Sequence, residues 1–442
     1  MRIAVVGGGI AGLAAAFELS GRAEVTIFEA ARLGGRILTE PFEGRPVDCG
    51  PDAFITRSPD AVGLCEELGV EDLVAPQAGK ALLWWNGALK PIPEGLMLGV
   101  PSRIGPLVRS GLLSPLGIVR AGADVVLPRR RYDGDVSVRD LIAGRFGAEV
   151  ADRLADPLIG SIHAGRSERL SAEATVPQLL AAARRSRSLL LELRKAPPPR
   201  SGAPMFMAPR LGLSEMVAAL ERRLRDDDVA FEMTRVVSVS SADGGAVDVD
   251  GSRFDACILA VGAAEAASLL GDGVDAGLQD FETASVALVT LGYPELDLPA
   301  GCSGLLVPRQ GGHLMTACSF ASQKWPHWAA PGRSVLRVSA GRAGDRRIDQ
   351  LSDEDLVDRL SAEVAVALGA PAAPDTWRVN RWPDAFPQYG VDHSKRVEQA
   401  ERAVRTKLPG VVLCGSSYRG IGIPACIASG RAAARSLLQP AS

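Results

Sequence analysis

The sequence predicts an α/β protein in which a Rossmann-like nucleotide-binding domain is combined with a β-rich substrate domain and an inserted helical domain. Three observations support this prediction. A short apolar strand leads directly into a glycine cluster at the N-terminus, short alternating strands return over residues 229–261, and a final strand and helix begin near residue 411. Because a strand, a glycine turn and a helix in this order form the phosphate-binding unit of dinucleotide-binding folds, we expect all three segments to share one sheet.

Length and composition disfavour several classes of protein. The 442 residues allow roughly two to four domains, and a net charge of −3 lacks the basic field that draws proteins onto nucleic acids. No apolar run reaches the roughly 18 residues of a membrane-spanning helix. Seven scattered cysteines without a C-x-x-C pair and four separated histidines predict reduced thiols, no metal site and a cytoplasmic protein.

The N-terminal segment predicts the nucleotide-binding turn in detail. A strand is expected over residues 3–6 and a helix over 13–19, with the glycine motif between them. The first glycine of such a turn allows the tight bend, the second lets a pyrophosphate approach the backbone, and the third lets helix and strand pack closely. The residues predicted to bind the nucleotide here are Gly7, Gly9, Ile10, Ala11 and Gly12.

A second strand follows and ends in an acidic residue. Val25 and Ile27 alternate along this strand, and Glu29 lies about 20 residues after the glycines, where a carboxylate can accept hydrogen bonds from ribose hydroxyls. Leu33-Gly34-Gly35-Arg36 then adds a second glycine turn with a cation, close to where the phosphates are expected.

This pair of glycine turns resembles the flavin-binding start of the amine oxidase superfamily. The resemblance implies an amine oxidase-like fold, FAD rather than NAD as the cofactor, and a segment ending at residue 52 that runs beside the flavin ring. The residues predicted to bind FAD beyond the first turn are Glu29, Gly34, Gly35, Arg36, Gly50, Pro51, Asp52, Val236, Val237, Gly415, Gly422, Ile423 and Pro424.

The middle of the chain predicts helices and one linker. Residues 87–128 are apolar, proline-rich and basic, a composition that suits either a membrane or partner surface, or helices whose apolar faces cover a substrate chamber; we favour the chamber. Apolar residues at helical spacing predict a helix over 137–154. The run 194–202 contains consecutive prolines between polar flanks and predicts a mobile linker.

The second half of the chain predicts a β-rich domain. Strands are expected near 286–291, 304–307 and 335–340, and a helix over 353–368. Together with the preceding segments this gives three domains. The FAD-binding domain takes residues 1–85, 204–265 and 381–442, the helical substrate domain takes 86–203, and the β-rich substrate-binding domain takes 266–380.

Segments outside the nucleotide unit make the resemblance more specific. They are Gly160-Ser161-Ile162-His163-Ala164-Gly165, Lys324-Trp325-Pro326, Gly341-Arg342-Ala343-Gly344-Asp345, Pro387-Gln388-Tyr389 and the run 415–427. Together, in this order, they resemble the protoporphyrinogen/coproporphyrinogen oxidase family. The resemblance implies an oxidase that converts a porphyrinogen to a porphyrin by passing electron pairs to FAD, with O2 reoxidising the flavin to give peroxide. It assigns no catalytic side chain, because the cofactor carries the chemistry.

The same resemblance assigns residues to the substrate. Arg57 falls where family members place a basic residue near a substrate propionate, with a solvated surface arginine as the alternative. Leu306 matches an aliphatic residue beside a pyrrole ring, and the loop 160–165 is expected to line the cavity. Ser339 departs from the family, because many members carry a stacking aromatic residue there. The predicted substrate-binding residues are Arg57, His163, Ala164, Gly165, Leu306 and Ser339.

Several hypotheses of function stay open at this point. The resemblance implies, as the leading hypothesis, oxidation of coproporphyrinogen III to coproporphyrin III in haem biosynthesis. The 43 arginines among the 49 basic residues agree with a tetracarboxylate substrate but do not establish it. Oxidation of protoporphyrinogen IX is the close alternative. An amine or carotenoid oxidoreductase of the same fold and a non-catalytic flavin-binding docking module are the others. The expected partners are the porphyrinogen, O2 and, transiently, the next haem-pathway enzyme, while contact with a membrane is left open.

Overall fold

The computed structural model describes residues 1–195 and 204–439, so most of the predicted linker 194–202 lies outside the described residues. The strands are β1 (Arg2–Val6), β2 (Glu24–Phe28), β3 (Thr39–Phe42), β4 (Arg45–Asp48), β5 (Phe54–Ile55), β6 (Leu73–Val74), β7 (Lys80–Trp85), β8 (Ala88–Pro91), β9 (Leu96–Met97), β10 (Val100–Pro101), β11 (Phe206–Pro209), β12 (Ala230–Glu232), β13 (Val239–Ser241), β14 (Val247–Val249), β15 (Ser252–Phe254), β16 (Ala256–Leu259), β17 (Thr283–Pro294), β18 (Cys302–Leu306), β19 (Met315–Ser319), β20 (Arg333–Ala340), β21 (Thr376–Pro387) and β22 (Val411–Leu413). The helices are α1 (Ile10–Leu19), α2 (Pro59–Glu67), α3 (Ile104–Ser110), α4 (Pro115–Gly122), α5 (Val138–Phe146), α6 (Ala148–Val150), α7 (Asp156–His163), α8 (Ala172–Thr175), α9 (Pro177–Arg185), α10 (Leu189–Arg194), α11 (Ser214–Asp226), α12 (Ala263–Leu270), α13 (Ala321–Lys324), α14 (Asp353–Leu368), α15 (His393–Lys407) and α16 (Ile423–Leu438).

The nucleotide-binding sheet has five parallel strands in the order β12-β2-β1-β16-β22. It joins the three segments that the sequence placed together, so the predicted unit of strand, glycine turn and helix is confirmed. Helix α1 begins at residue 10 rather than 13, because Gly9 is already its N-cap. The first and last helices pack closely enough that a Cβ on Gly430 would lie 2.0 Å from the carbonyl oxygen of Ala11.

The β-rich domain is a seven-stranded mixed sheet in the order β21-β17-β20-β19-β18-β7-β8. Its strands include those predicted near 286–291, 304–307 and 335–340, and α14 covers the predicted helix 353–368. Two strands of this sheet do not follow the predicted domain limits. Strand β7 lies in the predicted segment 1–85 but pairs in parallel with β18, and the boundary at residue 380 cuts β21. Pairing across more than 200 residues leaves no local pattern from which these boundaries could be predicted.

The helical region from α3 to α10 has its own apolar core and a buried ion pair. The Arg145 guanidinium lies 2.5 Å from the Asp124 carboxylate, which also accepts hydrogen bonds from Ser188 and the Leu190 N–H. The predicted continuous helix 137–154 is interrupted at Gly147, whose φ of 91° ends α5.

The predicted loop 160–165 also differs from what the structure shows. Residues 160–163 form the last turn of α7, and only Ala164, with a φ of 47°, leaves the helix in the left-handed region. The reason is that the helical backbone reaches α7 from Ala148 through a π-helical turn at Ala151–Ala155 and continues to His163.

The basic and apolar region 87–128 contributes both buried and exposed side chains. Leu107 and Ala121 enter the helical core, whereas Leu116 and Val119 are 81% and 70% exposed. Contact of this surface with a membrane or a partner stays the alternative to the favoured role as a cover of the substrate chamber. Among the described residues, no helix combines the length and the apolar character needed to cross a bilayer. All seven cysteines are free and buried, in agreement with the predicted reduced thiols.

Candidate functional site

One cavity of about 700 Å³ is lined jointly by the five-stranded sheet, the seven-stranded sheet and the end of α7. Its nucleotide part is lined by the glycine turns, by residues 50–53 and by the N-terminal ends of α12 and α16. Its sheet part is lined by α7, β17, β19 and β20 and by the loops that follow β18 and β20. The predicted residues that the structure brings into this cavity wall are Gly7, Gly9, Ile10, Ala11, Glu29, Gly34, Gly35, Arg36, Gly50, Pro51, Asp52, Ala164, Gly165, Ser339, Gly415, Gly422 and Ile423.

Two helix N-termini open into the nucleotide part without a side-chain cap. Helix α1 starts after Gly9 and α16 starts after Gly422, and neither cap residue offers a side chain to the free N–H groups of its helix. A Cβ built on Gly9 would meet no atom within 4 Å, so the space beside this backbone is open. Uncapped N–H groups and the helix dipole favour an anionic group, and two of them suit a diphosphate.

The Glu29 carboxylate is fixed by the backbone beside these helix ends. Its Oε2 accepts a hydrogen bond from the Gly8 N–H at 2.8 Å, and its Oε1 accepts one from the Ala31 N–H at 2.9 Å. A carboxylate oxygen can accept more than one hydrogen bond, so acceptor capacity remains for hydroxyl groups in the cavity. This geometry fits the ribose contact expected from the spacing to the glycines.

Four predicted cofactor residues do not line the cavity. Gly12 packs behind the turn, where an added Cβ would lie 1.9 Å from the Gly7 carbonyl oxygen, and Pro424 is buried inside α16. Val236 is buried in the core with Phe28, while Val237 is 70% exposed. Gly12 thus supports the turn by close packing, and the two valines have no geometric link to the cavity.

The second glycine turn is tied to the C-terminal run. Arg36 donates from Nη1 to the Ser416 hydroxyl at 2.8 Å and from Nη2 to the Asp384 carbonyl at 3.3 Å. Tyr389 donates to the Ser416 carbonyl and accepts from the Gly420 N–H at 2.8 Å, while its ring stacks on His393 with centroids 4.0 Å apart. The segment Pro387-Gln388-Tyr389 therefore holds the C-terminal loop against the cavity wall.

Asp52 joins three elements at the boundary between the two parts of the cavity. Its Oδ2 accepts hydrogen bonds from Lys324 Nζ at 2.7 Å and Trp325 Nε1 at 3.3 Å, and Arg337 Nη1 lies 3.4 Å away. Arg337 also donates to the Gly50 carbonyl. Burial by itself would raise the pKa of Asp52, but Lys324 and Arg337 outweigh it and lower that pKa to about 2. The family segment Lys324-Trp325-Pro326 therefore positions the residues 50–52 that line the cavity.

A second carboxylate in the same segment, that of Asp48, has its pKa shifted in the opposite direction. Asp48 is fully buried, with Oδ1 accepting from the Thr39 hydroxyl and the Leu213 N–H. Its Oδ2 has no hydrogen-bond partner among the described residues, and burial raises the pKa of Asp48 to about 6.

This raised pKa predicts a pH-dependent stability. Between about pH 4 and pH 6 the folded protein keeps a proton that the unfolded chain releases, so the free energy of unfolding falls as pH rises through this window, by about 1–3 kcal/mol. We expect Asp48→Asn to remove this dependence. Urea unfolding at pH 4.5 and pH 7 would measure it for both proteins, and equal slopes with pH in wild type and variant would contradict the assignment.

Three predicted substrate residues lie outside the cavity wall. Arg57 is exposed and does not reach the cavity, since Thr56 fixes its strand to the Met205 carbonyl at 3.0 Å. Leu306 packs against the core of the helical region, and its neighbour Val307 takes the place in the wall. The assignments of Leu306 and Arg57 rest on local similarity, which does not resolve on which side of a strand a side chain lies, and their contact with substrate stays a prediction.

His163 is buried behind the wall rather than in it. Its carbonyl accepts from Gln388 Nε2 at 2.9 Å, and its Nδ1 has no partner among the described residues. Burial lowers the pKa of His163 to about 4, so the ring is neutral at physiological pH. The adjacent Ala164 and Gly165 do line the sheet part, where Ser339 lies across from them with its hydroxyl 2.8 Å from Thr316 Oγ1.

Sequence reasoning missed the charged residues of the sheet part. Asp156, Arg309, Arg337 and Arg342 all line the cavity. In a chain with 43 arginines no single one stands out, and only Arg342 lay in a segment that resembled the family. Among the described residues, no group of three or more His, Cys, Asp or Glu side chains is arranged to hold a metal ion.

Comparison with known proteins identifies the family. The family model described as flavin containing amine oxidoreductase matches residues 10–438. The chain is 34% identical to coproporphyrinogen III oxidase of Bacillus subtilis (strain 168), over 98% of this chain and 96% of that protein. It is 27% identical to protoporphyrinogen oxidase 1, chloroplastic, of Spinacia oleracea, over 96% of this chain and 81% of that protein.

The solved structures agree with this assignment. A crystal structure from Exiguobacterium sp. 255-15, of a protein provisionally called protoporphyrinogen oxidase, superposes with a TM-score of 0.90 at 29% identity, over 99% of this chain and 98% of that one. The resemblance and the amine oxidase-like fold predicted from the sequence are confirmed by these matches. A flavin is the cofactor that the family description names, and the two uncapped helix ends, the open glycine turn and Glu29 fit its nucleotide. The chain belongs to the family of flavin containing amine oxidoreductases.

Proposed function

We propose that the chain is an FAD-dependent coproporphyrinogen III oxidase that uses O2. The observation that carries the proposal is the continuity of this cavity, because its nucleotide part and its sheet part adjoin and would place a flavin nucleotide and a macrocycle side by side. The full-length similarity to the Bacillus subtilis coproporphyrinogen III oxidase supports the choice of substrate. We further propose a cytoplasmic location, since a tetracarboxylate substrate is soluble in water.

The residues of the nucleotide part would bind and orient the FAD. The two uncapped helix ends after Gly9 and Gly422 would bind the diphosphate, and Glu29 would bind the ribose. Residues 50–52, held by Lys324 and Arg337, would lie beside the ring system. When bound, the flavin would accept an electron pair from the substrate, a reaction for which the protein side chains have no suitable group.

The sheet part would hold the porphyrinogen at the flavin. The cavity wall there combines apolar residues such as Leu288 and Val307 with the polar pair Thr316 and Ser339. A meso carbon flanked by pyrroles is already activated, so positioning contributes more than a strong base. The state of Asp52 agrees with the lack of a strong base. Lys324 and Arg337 keep its carboxylate ionised and paired at neutral pH, so it is not free to accept a proton from the substrate.

The proposed overall reaction is balanced by O2. Conversion of the porphyrinogen to the porphyrin removes six electrons and six protons from the macrocycle in three two-electron steps. Three molecules of O2 take up these electrons and protons and leave as three molecules of hydrogen peroxide. The carboxylates of the substrate are not changed by the reaction, so they are free to act as handles for binding.

Aerobic turnover of coproporphyrinogen III and protoporphyrinogen IX, side by side on one preparation, tests the proposal. Porphyrin fluorescence follows the product, a peroxide assay follows O2 reduction, and chromatography of the released cofactor distinguishes FAD from FMN. We expect FAD and a kcat/KM at least about 10-fold higher for coproporphyrinogen III. Preference for protoporphyrinogen IX would transfer the chain to the other branch of the family. A yellow protein that turns over neither substrate would favour an amine or carotenoid oxidoreductase, or a non-catalytic docking module.

A further inference from the structure

Two arginines in the sheet part of the cavity lack the acidic partners that the neighbouring arginines have. Arg309 follows β18 and Arg342 follows β20, and both line the cavity. Arg309 Nη2 donates to the Gly165 carbonyl at 2.8 Å, and Arg342 Nη2 donates weakly to the Met315 carbonyl at 3.4 Å. Among the described residues, neither guanidinium has a carboxylate oxygen within 4.0 Å, whereas Arg333 has two such partners.

The nearby carboxylates of Asp156 and Asp345 offset part of the charge of the two arginines, but they make their hydrogen bonds to other groups. Asp345 forms a bidentate pair with Arg347, at 2.9 Å and 2.6 Å, and Asp156 accepts from the Ser167 N–H at 3.0 Å. Arg342 is half-buried, and Arg309 has a buried Nε without a hydrogen-bond partner. Among the residues that the structure describes, Arg309 and Arg342 therefore have guanidinium N–H donors without an acceptor on the cavity side of the sheet.

The two guanidiniums also repel each other. Burial and, after it, the charge of Arg309 lower the pKa of Arg342 to about 10, and burial lowers the pKa of Arg309. Placing two cations in a partly dehydrated cavity is unfavourable unless an anion joins them. A carboxylate matches this pair, because each guanidinium presents a planar fork of N–H donors.

We propose that Arg309 and Arg342 bind carboxylates of the substrate and set the preference for an anionic porphyrinogen. The inference rests on the proposed function, since it names the substrate handles that the same cavity recognises. The hydrogen bond from Arg309 to Gly165 adds a second consequence. A carboxylate seated on Arg309 is held at the junction of the sheet with the end of α7, so both elements contribute to the position of the macrocycle.

Substitution of Arg342 tests the proposal most directly, because within the described part of the chain its side chain makes a single hydrogen bond, the weak one to the Met315 carbonyl. The variants are Arg342→Met, which keeps the length and removes the charge, and Arg342→Lys, which keeps the charge and removes the fork. The matched control is Arg346→Met, an exposed arginine four positions along that pairs with Asp349 on the surface. The substrates are coproporphyrinogen III and its tetramethyl ester, which has the same macrocycle without charge.

We expect Arg342→Met to raise KM for coproporphyrinogen III about 10-fold to 100-fold with little change in kcat, because a charge-assisted hydrogen bond to substrate is lost. Turnover of the ester should not change, and Arg342→Lys should recover part of the lost affinity. The Arg346→Met control should match wild type. Fluorescence titration with the product coproporphyrin III gives the same comparison by binding alone, and the flavin content of each preparation reports whether the fold and cofactor site are intact.

The outcomes separate this inference from the proposed function. Wild-type turnover with an unchanged KM in Arg342→Met and in the corresponding Arg309→Met would overturn the carboxylate site and leave the proposed function standing. Loss of flavin from Arg342→Met, with normal substrate affinity in the flavin-loaded fraction, would assign the arginine to the cofactor and also overturn the site. If wild type turns over no porphyrinogen, the proposed function fails. In that case equal binding of coproporphyrin III by wild type and Arg342→Met would overturn the inference as well, whereas weaker binding by the variant would support it.

Discussion

Gly9→Leu is expected to fold normally and to purify without flavin. Gly9 has a φ of −70°, which any residue can adopt, and a Cβ at this position would meet no protein atom within 4 Å. The leucine side chain would instead occupy the space in front of the uncapped helix end, where the diphosphate has to approach the backbone. We expect flavin affinity to fall by more than about 100-fold, the loss that follows when several charge-assisted hydrogen bonds are blocked at once.

The visible absorbance of the purified protein, together with its thermal unfolding in the absence of added FAD, checks this expectation. Gly273→Leu is the matched control. It has an ordinary backbone conformation, open space around its Cα and no place in the cavity wall, so it should stay yellow. A Gly9→Leu protein with full flavin content would show that the cofactor does not use this helix end. A loss of folded protein would show that Gly9 has a structural role that the open space does not reveal.

The N-terminal turn could be predicted because its parts are close in sequence. Gly7, Gly9 and Gly12 lie within six residues and contact one another or the start of the first helix. Their spacing in the sequence therefore determines the geometry of the turn. Gly12 has the packing role that the motif predicts, although it does not line the cavity with the other predicted nucleotide-binding residues. It was expected to allow close packing, and its missing Cβ would indeed overlap the Gly7 carbonyl oxygen.

The charged residues of the sheet part could not be predicted in the same way. Arg309 and Arg342 follow β18 and β20, which are not neighbours, and they reach the same cavity because both strands pair with β19. Such an arrangement depends on tertiary pairing and on which arginines already have acidic partners, neither of which a single sequence displays. Arg57 rests on a local resemblance alone: the structure leaves its side chain exposed and outside the cavity wall, and its contact with substrate stays a prediction.

The second large effect is expected from Asp52→Ala, which should lower both stability and flavin content. The substitution leaves Lys324 and Arg337 without their shared carboxylate, although Arg337 has a side chain only 6% exposed. Removing one partner of a buried ion pair leaves a charge that is neither hydrated nor compensated, which costs about 3–5 kcal/mol when the site is fully buried. Because the Asp52 side chain is 19% exposed, we expect about 2–4 kcal/mol in urea unfolding. Flavin content should fall as well, since residues 50–52 form part of the cavity wall.

Two comparisons distinguish this origin from a general loss of contacts. Asp72→Ala removes a surface ion pair with Arg210 and should cost less than about 1 kcal/mol. The double variant Asp52→Ala, Lys324→Met removes one of the unpaired cations, so it should be more stable than Asp52→Ala alone.

The dependence of stability on pH adds a further constraint with a definite sign. The pKa of Asp52 is lowered to about 2, so its stabilising effect is complete above about pH 4 and is lost only as pH falls towards 2, opposite in direction to that of Asp48. If Asp52→Ala were no less stable than Asp72→Ala at pH 7, the ion-pair network would have no role in holding this wall of the cavity, and the segment Lys324-Trp325-Pro326 would need another explanation.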